Sequence, residues 1–315
     1  MRKDITKILQ CPLCGGKNLL VNSTYENDKE IREGSLRCGN CKKKYRIENG
    51  IIDLLVEETP EIISEQKGWT ELEKAVVNTD KLMLSLPDAI GEHKTAWKSQ
   101  AENFHYMFSK LDLNGKEVVL DLGAGRCWST SFFSRKGCYT VGIDILLTKY
   151  VGLLTSDVYI NHHNIYFERI IGDMNLLPFR NQVFDLVFIT ATLHHSVDML
   201  TTLKEVYRVL KTGGQVVFIN EPVVGIFKLS KLDCKEIEVG INEHIHKLWN
   251  YLRIIKRVGL DYRIYPYLGS YFRGINLIKQ LLKKKSFYKK AERLINYFQL
   301  LFFGGILNII AHKPK

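Results

Sequence analysis

Val118-Val119-Leu120-Asp121-Leu122-Gly123-Ala124-Gly125 is a short apolar run, rich in β-branched residues at its start, that ends on two glycines around one alanine. Its length and its glycine boundary mark a buried strand followed by a tight loop. Four more runs of this kind follow, at 138–144, 167–173, 183–189 and 215–220, each separated from the last by a stretch with helical periodicity. Strands alternating with helices imply βαβ units and a parallel, doubly wound sheet covered on both faces. Right-handed crossovers then place the ligand crevice at the carboxyl ends of the strands.

The strand ends carry the chemistry. Asp121 precedes the Gly123-Ala124-Gly125 loop, Asp144 ends the second strand, and Asp173, within Gly172-Asp173-Met174, follows the third. The two glycines let the backbone pass close under a ligand, where a β-carbon would collide. A dinucleotide fingerprint wants a third glycine at position 128, where this chain has Trp128, so NAD and FAD are disfavoured. An acid after the second strand can accept hydrogen bonds from both ribose hydroxyls, and an acid after the third suits the exocyclic amine of adenine. A carboxylate by the loop favours an ammonium and opposes a pyrophosphate. That inventory describes S-adenosylmethionine.

Val118–Gly125, Val141–Asp144, Gly172–Phe179, Phe184–Val187 and Leu203–Gly214 closely resemble the class I S-adenosylmethionine-dependent methyltransferases. The resemblance covers roughly residues 101–265, with a returning strand at 305–311. It implies a seven-stranded, mostly parallel sheet of Rossmann-like topology and a methyl-transfer activity. The cofactor residues it implies are Asp121, Gly123, Ala124, Gly125, Asp144, Ile145, Asp173, Met174 and Thr190. One departure is Cys127, where many members of the family have a third loop glycine. Candidates for a proton-removing base lie where strands four and five empty into the crevice: His194, His195, Glu221 and, farther on, His244. A near-neutral imidazole needs little tuning for that task, or the His194-His195 pair only frames the cofactor. Glu243 and His244 are alternatively a cap for a helix beginning near Leu248. The Asn/Asp-Pro-Pro-aromatic loop of amino methylation, the Pro-Cys of cytosine C5 methylation and the acids of a catechol-type metal site are all missing after strand four.

Nearer the start, Cys11-Pro12-Leu13-Cys14 and Cys38-Gly39-Asn40-Cys41 have the spacing of metal ligands. Each pair can turn two thiolates toward one tetrahedral zinc ion, and four thiolates leave no open position, so the ion is structural. Leu19–Glu26 and Ile31–Cys38 read as a hairpin between the pairs, and 45–55 as a last strand. Cys127, Cys138 and Cys234 read as small buried residues. The segment 1–56 resembles a Trm112-like zinc ribbon. The expected organisation is a zinc ribbon over 1–56, a helical linker over 57–100 and a methyltransferase domain over 101–315. Trp69, Trp97 and Tyr106 in or beside the linker read as packing residues.

The chain has 315 residues, 45% of them hydrophobic and 25% charged, which excludes wholesale disorder and fibrous structure. Its net charge of +11 is unevenly placed: from Arg273 onward ten Lys or Arg stand against Glu292 alone. A basic helical insertion at about 271–303 is therefore expected, facing water, an anionic membrane surface or nucleic acid. With no apolar leader at its start the chain is expected to be cytoplasmic, with peripheral membrane contact if that insertion meets lipid. The most apolar stretch, 294–310, holds Asn296, Gln299 and Asn308 and reads as a packed helix followed by a strand rather than as a membrane span. The acceptor class expected is a small molecule, a glycan or a lipid-linked compound. The alternatives are an rRNA or tRNA base, read with the help of the ribbon, and a non-catalytic adaptor that binds the cofactor.

Overall fold

A computed structural model describes residues 1–74, 78–227, 235–265 and 288–315, with the backbone alone at 235 and 288–293. Cys234 and positions 271–287 of the basic segment lie outside the described residues. The N-terminal module is built from β1 (Leu19–Glu26), β2 (Ile31–Cys38), β3 (Lys44–Glu48) and β4 (Ile51–Asp53). Helices α1 (Pro60–Lys74), α2 (Asp80–Ser85) and α3 (His93–Phe108) follow. Next come β5 (Val118–Leu122), α4 (Trp128–Arg135), β6 (Tyr139–Asp144), α5 (Ser156–His163), β7 (Glu168–Ile171), β8 (Phe184–Thr190), α6 (Met199–Val209) and β9 (Leu210–Val224). The chain finishes with α7 (Lys235–Glu238), β10 (His246–Lys247), α8 (Leu248–Arg257), β11 (Asp261–Tyr265), α9 (Tyr288–Phe302) and β12 (Gly305–His312).

The expected α/β architecture is present, but the strand count is not seven. Twelve strands of the described residues form one sheet, in the order β1-β2-β3-β4-β7-β6-β5-β8-β9-β12-β11, with β10 joined to β9. The stretch from β7 to β11 is the seven-stranded core, parallel except for β12, which runs antiparallel to both β9 and β11. The extra strands arise because β4 pairs in parallel with β7, Ile52 facing Ile170 and Asp53 facing Ile171. The cysteine-bearing hairpin is thus an extension of the central sheet. The expected last strand over 45–55 is in fact two, β3 and β4, which reverse at Asn49-Gly50 with φ of 54° and 76°. Positive φ at both positions is the type I′ turn that Asn-Gly favours.

Both faces of the sheet are covered. On one side α6 and α8 bury Leu203, Val206, Tyr251 and Ile255 against the strands. The other side is filled from α3, α4 and α5 by Phe104, Met107, Phe133 and Tyr159. Polar anchors sit inside the second layer: Asn103 donates to Asn220 Oδ1 at 2.9 Å, and Asn308 donates to Asn103 Oδ1 at 3.2 Å. Asn308 of the apolar C-terminal stretch is therefore a sheet residue with buried partners. Among the described residues no helix is long and apolar enough to cross a membrane.

Arg169 on β7 ties the module to the sheet electrostatically. Its guanidinium is fully buried and binds the Glu30 carboxylate, the Gly50 carbonyl and Asp157 Oδ1. Arg32 joins the same group through Asp157 at 3.0 Å.

Candidate active site

A cavity of about 600 Å³ opens at the carboxyl ends of β5, β6, β7 and β8. Eight of the nine expected cofactor residues line it: Gly123, Ala124, Gly125, Asp144, Ile145, Asp173, Met174 and Thr190. Asp121 does not. It is fully buried at the end of β5, where its Oδ2 accepts from Ser129 Oγ at 2.7 Å and from Thr130 Oγ1. Oδ1 is buried with no hydrogen-bond partner among the described residues. Burial raises the Asp121 carboxyl to about 6.

The loop geometry follows from its residues. Gly123 has φ of 74°, and a β-carbon there would overlap Thr192 of the loop after β8, so the close approach the glycine permits is to protein. Gly125 also has positive φ, 46°, and its N–H donates to Asp144 Oδ2 at 2.7 Å. Asp144 Oδ1 accepts from the Leu146 N–H at 2.8 Å. Each oxygen keeps a second lone pair for a ribose hydroxyl. Burial lifts Asp144 to about 6. Cys127, at the position where many relatives carry glycine, stands at φ of 61°, the left-handed region that glycine enters freely. The departure in sequence therefore keeps the loop shape and strains one backbone residue. The glycine loop and the two strand-end acids at the cavity, Asp144 and Asp173, fit the ribose and adenine of S-adenosylmethionine.

The candidate bases divide. His195 lines the cavity; His194, Glu221 and His244 do not. Glu221, fully buried on β9, accepts from the N–H groups of Thr192, Leu193 and His194 and from His194 Nδ1 at 2.9 Å. It shapes the loop after β8 from behind. Burial acts to lower the His194 pKa, but the Glu221 carboxylate overrides this and raises it to about 9. Burial and the neighbouring His194 charge lower His195 to about 4. The His244 N–H donates to the His194 carbonyl at 3.0 Å. Glu243 and His244 do not cap α8, whose N-cap is Lys247 with no side-chain bond.

Sequence reasoning missed the contribution of α1 and α3. Glu65, Trp69 and Trp97 all line the cavity, although the two tryptophans read as packing residues. Trp69 Nε1 donates to Glu65 Oε1 at 2.8 Å, and Glu65 Oε2 accepts from the Asn242 N–H at 2.6 Å. Burial raises Glu65 to about 7. The available signal was a carboxylate and an indole at i, i+4 on one helix face, which does not distinguish a cavity wall from a packed core.

The four expected metal ligands do converge. Cys11 and Cys41 sulfurs are 3.6 Å apart, as are those of Cys14 and Cys38, and all four lie within 4.8 Å of one another. A tetrahedral zinc ion with bonds of about 2.3 Å spaces its sulfurs about 3.8 Å apart. A β-carbon at Gly16 would stand 3.1 Å from Cys38 Sγ and 2.9 Å from Asn40 Nδ2, so glycine lets the knuckle close without displacing either side chain.

Two family models match the chain: a methyltransferase domain over residues 120–218 and a Trm112p-like protein over residues 2–50. The demethylmenaquinone methyltransferase of Streptomyces avermitilis is 36% identical over 107 residues, 34% of this chain and 43% of that protein. The malonyl-[acyl-carrier protein] O-methyltransferase of a Marinomonas species is 30% identical over 145 residues, 45% of this chain and 50% of that protein. The chain thus spans half or less of the length of the curated relatives it matches. In fold it is similar to the geranyl diphosphate C-methyltransferase of Streptomyces coelicolor, with a TM-score of 0.57 at 16% identity, covering 82% of this chain and all of that one. The chain joins a Trm112p-like segment to a methyltransferase domain of the class I fold.

Proposed function

We propose that the chain binds S-adenosylmethionine and transfers its methyl group to a small-molecule, glycan or lipid-linked acceptor. The observation that carries this reading is the convergence of the Gly123–Gly125 loop, Asp144 and Asp173 on one cavity whose lining also includes Ile62, Trp69 and Trp97. The acids would hold the cofactor, and the sulfonium when bound supplies an already activated methyl group. The residues then need only align the acceptor with it. Apolar and aromatic walls suit an acceptor with an apolar portion. The relatives' names, a demethylmenaquinone and a malonyl-[acyl-carrier protein] methyltransferase, agree with a non-nucleic-acid acceptor.

The four-thiol cluster would hold a structural zinc ion. The division into 1–56, 57–100 and 101–315 and a cytoplasmic location are part of the same proposal. The Trm112p-like match over residues 2–50 leaves room for a second reading, a methyltransferase of rRNA or tRNA bases. Copurifying nucleic acid whose release follows salt would favour it.

Calorimetric titration with S-adenosylmethionine tests the main reading. Saturable binding that weakens at least tenfold in Asp144→Ala is the expected result. No binding to the unmodified chain would leave only an adaptor role that does not involve the cofactor.

A further inference from the structure

His194, His195 and Glu243 form a second cluster of metal-ligating side chains, separate from the cysteines. One ligand atom from each lies within 4.8 Å of the other two. Glu243 Oε1 stands 3.7 Å from His194 Nε2 and 3.8 Å from His195 Nε2, beyond hydrogen-bond length for either. The side chains are almost sealed, with exposures of 7%, 11% and 10%.

The other ring nitrogens settle the direction of the imidazoles. His195 Nδ1 faces the Asn242 carbonyl at 2.9 Å, and a carbonyl only accepts, so the proton is on Nδ1. His194 Nδ1 faces Glu221 Oε2 at 2.9 Å, and that carboxylate already accepts three backbone N–H groups. Both Nε2 atoms therefore point away from these partners, toward one shared carboxylate, and a metal ion would take the place of the proton on His194 Nε2. An imidazole whose Nδ1–H is held by a carboxylate or a carbonyl while its Nε2 is left free is the outer arrangement of metal-ligating histidines. Ligands bonded at about 2.0–2.1 Å in a tetrahedral site stand about 3.4 Å apart, and the two Glu243 distances exceed that by a few tenths of an ångström.

We propose that His194, His195 and Glu243 bind a divalent transition-metal ion of the zinc, cobalt or iron(II) class. Two imidazoles and one carboxylate select these over magnesium and calcium. Three protein ligands leave at least one position for water or an oxygen of the acceptor. His195 belongs to the wall of the cavity, so the ion stands at its border and fixes the loop after β8 to the segment containing Asn242 and Glu243. On this assignment the histidine pair supplies ligands and is not a free base.

The test uses the full chain purified with its zinc retained, titrated with Co²⁺ and followed by visible absorption and by metal analysis. The expected result is one further equivalent of Co²⁺ per chain with weak visible bands and no thiolate charge-transfer absorption. Glu243→Gln, close to isosteric, should weaken this uptake at least tenfold while the zinc of the cysteine cluster stays in place. No second equivalent, uptake that shows thiolate charge transfer, or uptake indifferent to Glu243→Gln would each overturn the proposal. Circular dichroism of Glu243→Gln separates lost folding from lost ligation, and the titration of the unmodified chain decides the matter by itself.

Discussion

Glu30, in the cysteine-bearing module, and Arg169, on β7, form an ion pair with side-chain exposures of 3% and 0%. Removing one partner leaves the other charge buried. Glu30→Gln should destabilise the chain by about 3 kcal/mol, near the lower end for a broken buried pair because Asp157 still faces Arg169. Urea denaturation of the single variant measures it, and a loss below 1 kcal/mol would show the pair to be dispensable.

The same pair sets an acid limit. Burial alone would raise the Glu30 carboxyl, but Arg169 holds it down to about 2, against an ordinary value of 4.5. A depressed carboxyl stabilises the fold fully above about 4.5, and that contribution is lost as pH falls toward 2. The stability gap between the unmodified chain and Glu30→Gln should therefore narrow over that window. Denaturation midpoints at a series of pH values would show whether it does.

Cofactor binding should have its own pH dependence. Asp144, at the cavity, is raised by burial to about 6 in the chain without ligand, and hydroxyl donors bind its ionised form. Affinity for S-adenosylmethionine should be level above pH 7 and fall below about 6, by about tenfold per unit for one linked proton. Calorimetry across pH 5–8 reads this directly. A flat profile would remove Asp144 from cofactor binding.

Gly123→Ala should be costly in two ways: φ of 74° disfavours any side chain, and the new methyl would overlap Thr192. The loops after β5 and β8 must separate to admit it, which displaces two walls of the cavity at once. A loss of cofactor affinity above tenfold is expected, with partial recovery on adding Thr192→Ser. Equal losses in the single and double variants would point to backbone strain alone.

Extraction of zinc by a strong chelator under reducing conditions should lower the melting temperature of the whole chain in one transition. The strands that follow the thiols lead into β4, and β4 is hydrogen-bonded to β7. Two separate transitions in calorimetry would mean that the module melts alone.

Much of this was legible locally. The parallel strands announced themselves as apolar runs of five to eight residues, and the acids at 144 and 173 stand at the cavity as their positions after strands suggested. Asp121 could not be oriented, because a strand buried on both faces has no polar alternation to tell which way a side chain points. Glu65 and Trp69 were hidden for a similar reason: helical periodicity finds an inward face but not the cavity that face meets. The joining of β4 to β7 depends on a pairing between residues far apart in the chain, and nothing in Ile51-Ile52-Asp53 names its neighbour. The Asn49-Gly50 reversal, by contrast, carried an explicit turn signature that the apolar residues on either side obscured.

The continuity of the sheet bears on the order in which the chain is made. The four thiols and the first hairpin lie within residues 11–41, so that part can organise around a metal ion as soon as it leaves the ribosome. Glu30 has Met1 and Arg32 close by in sequence as partners, while Arg169 is synthesised 139 residues later. During that interval β4 presents an unpaired edge, and β7 arrives to an edge that is already in place. The edge of the module is thus complete in sequence before β7, and Arg169 joins a charge cluster that Met1, Glu30 and Arg32 have begun.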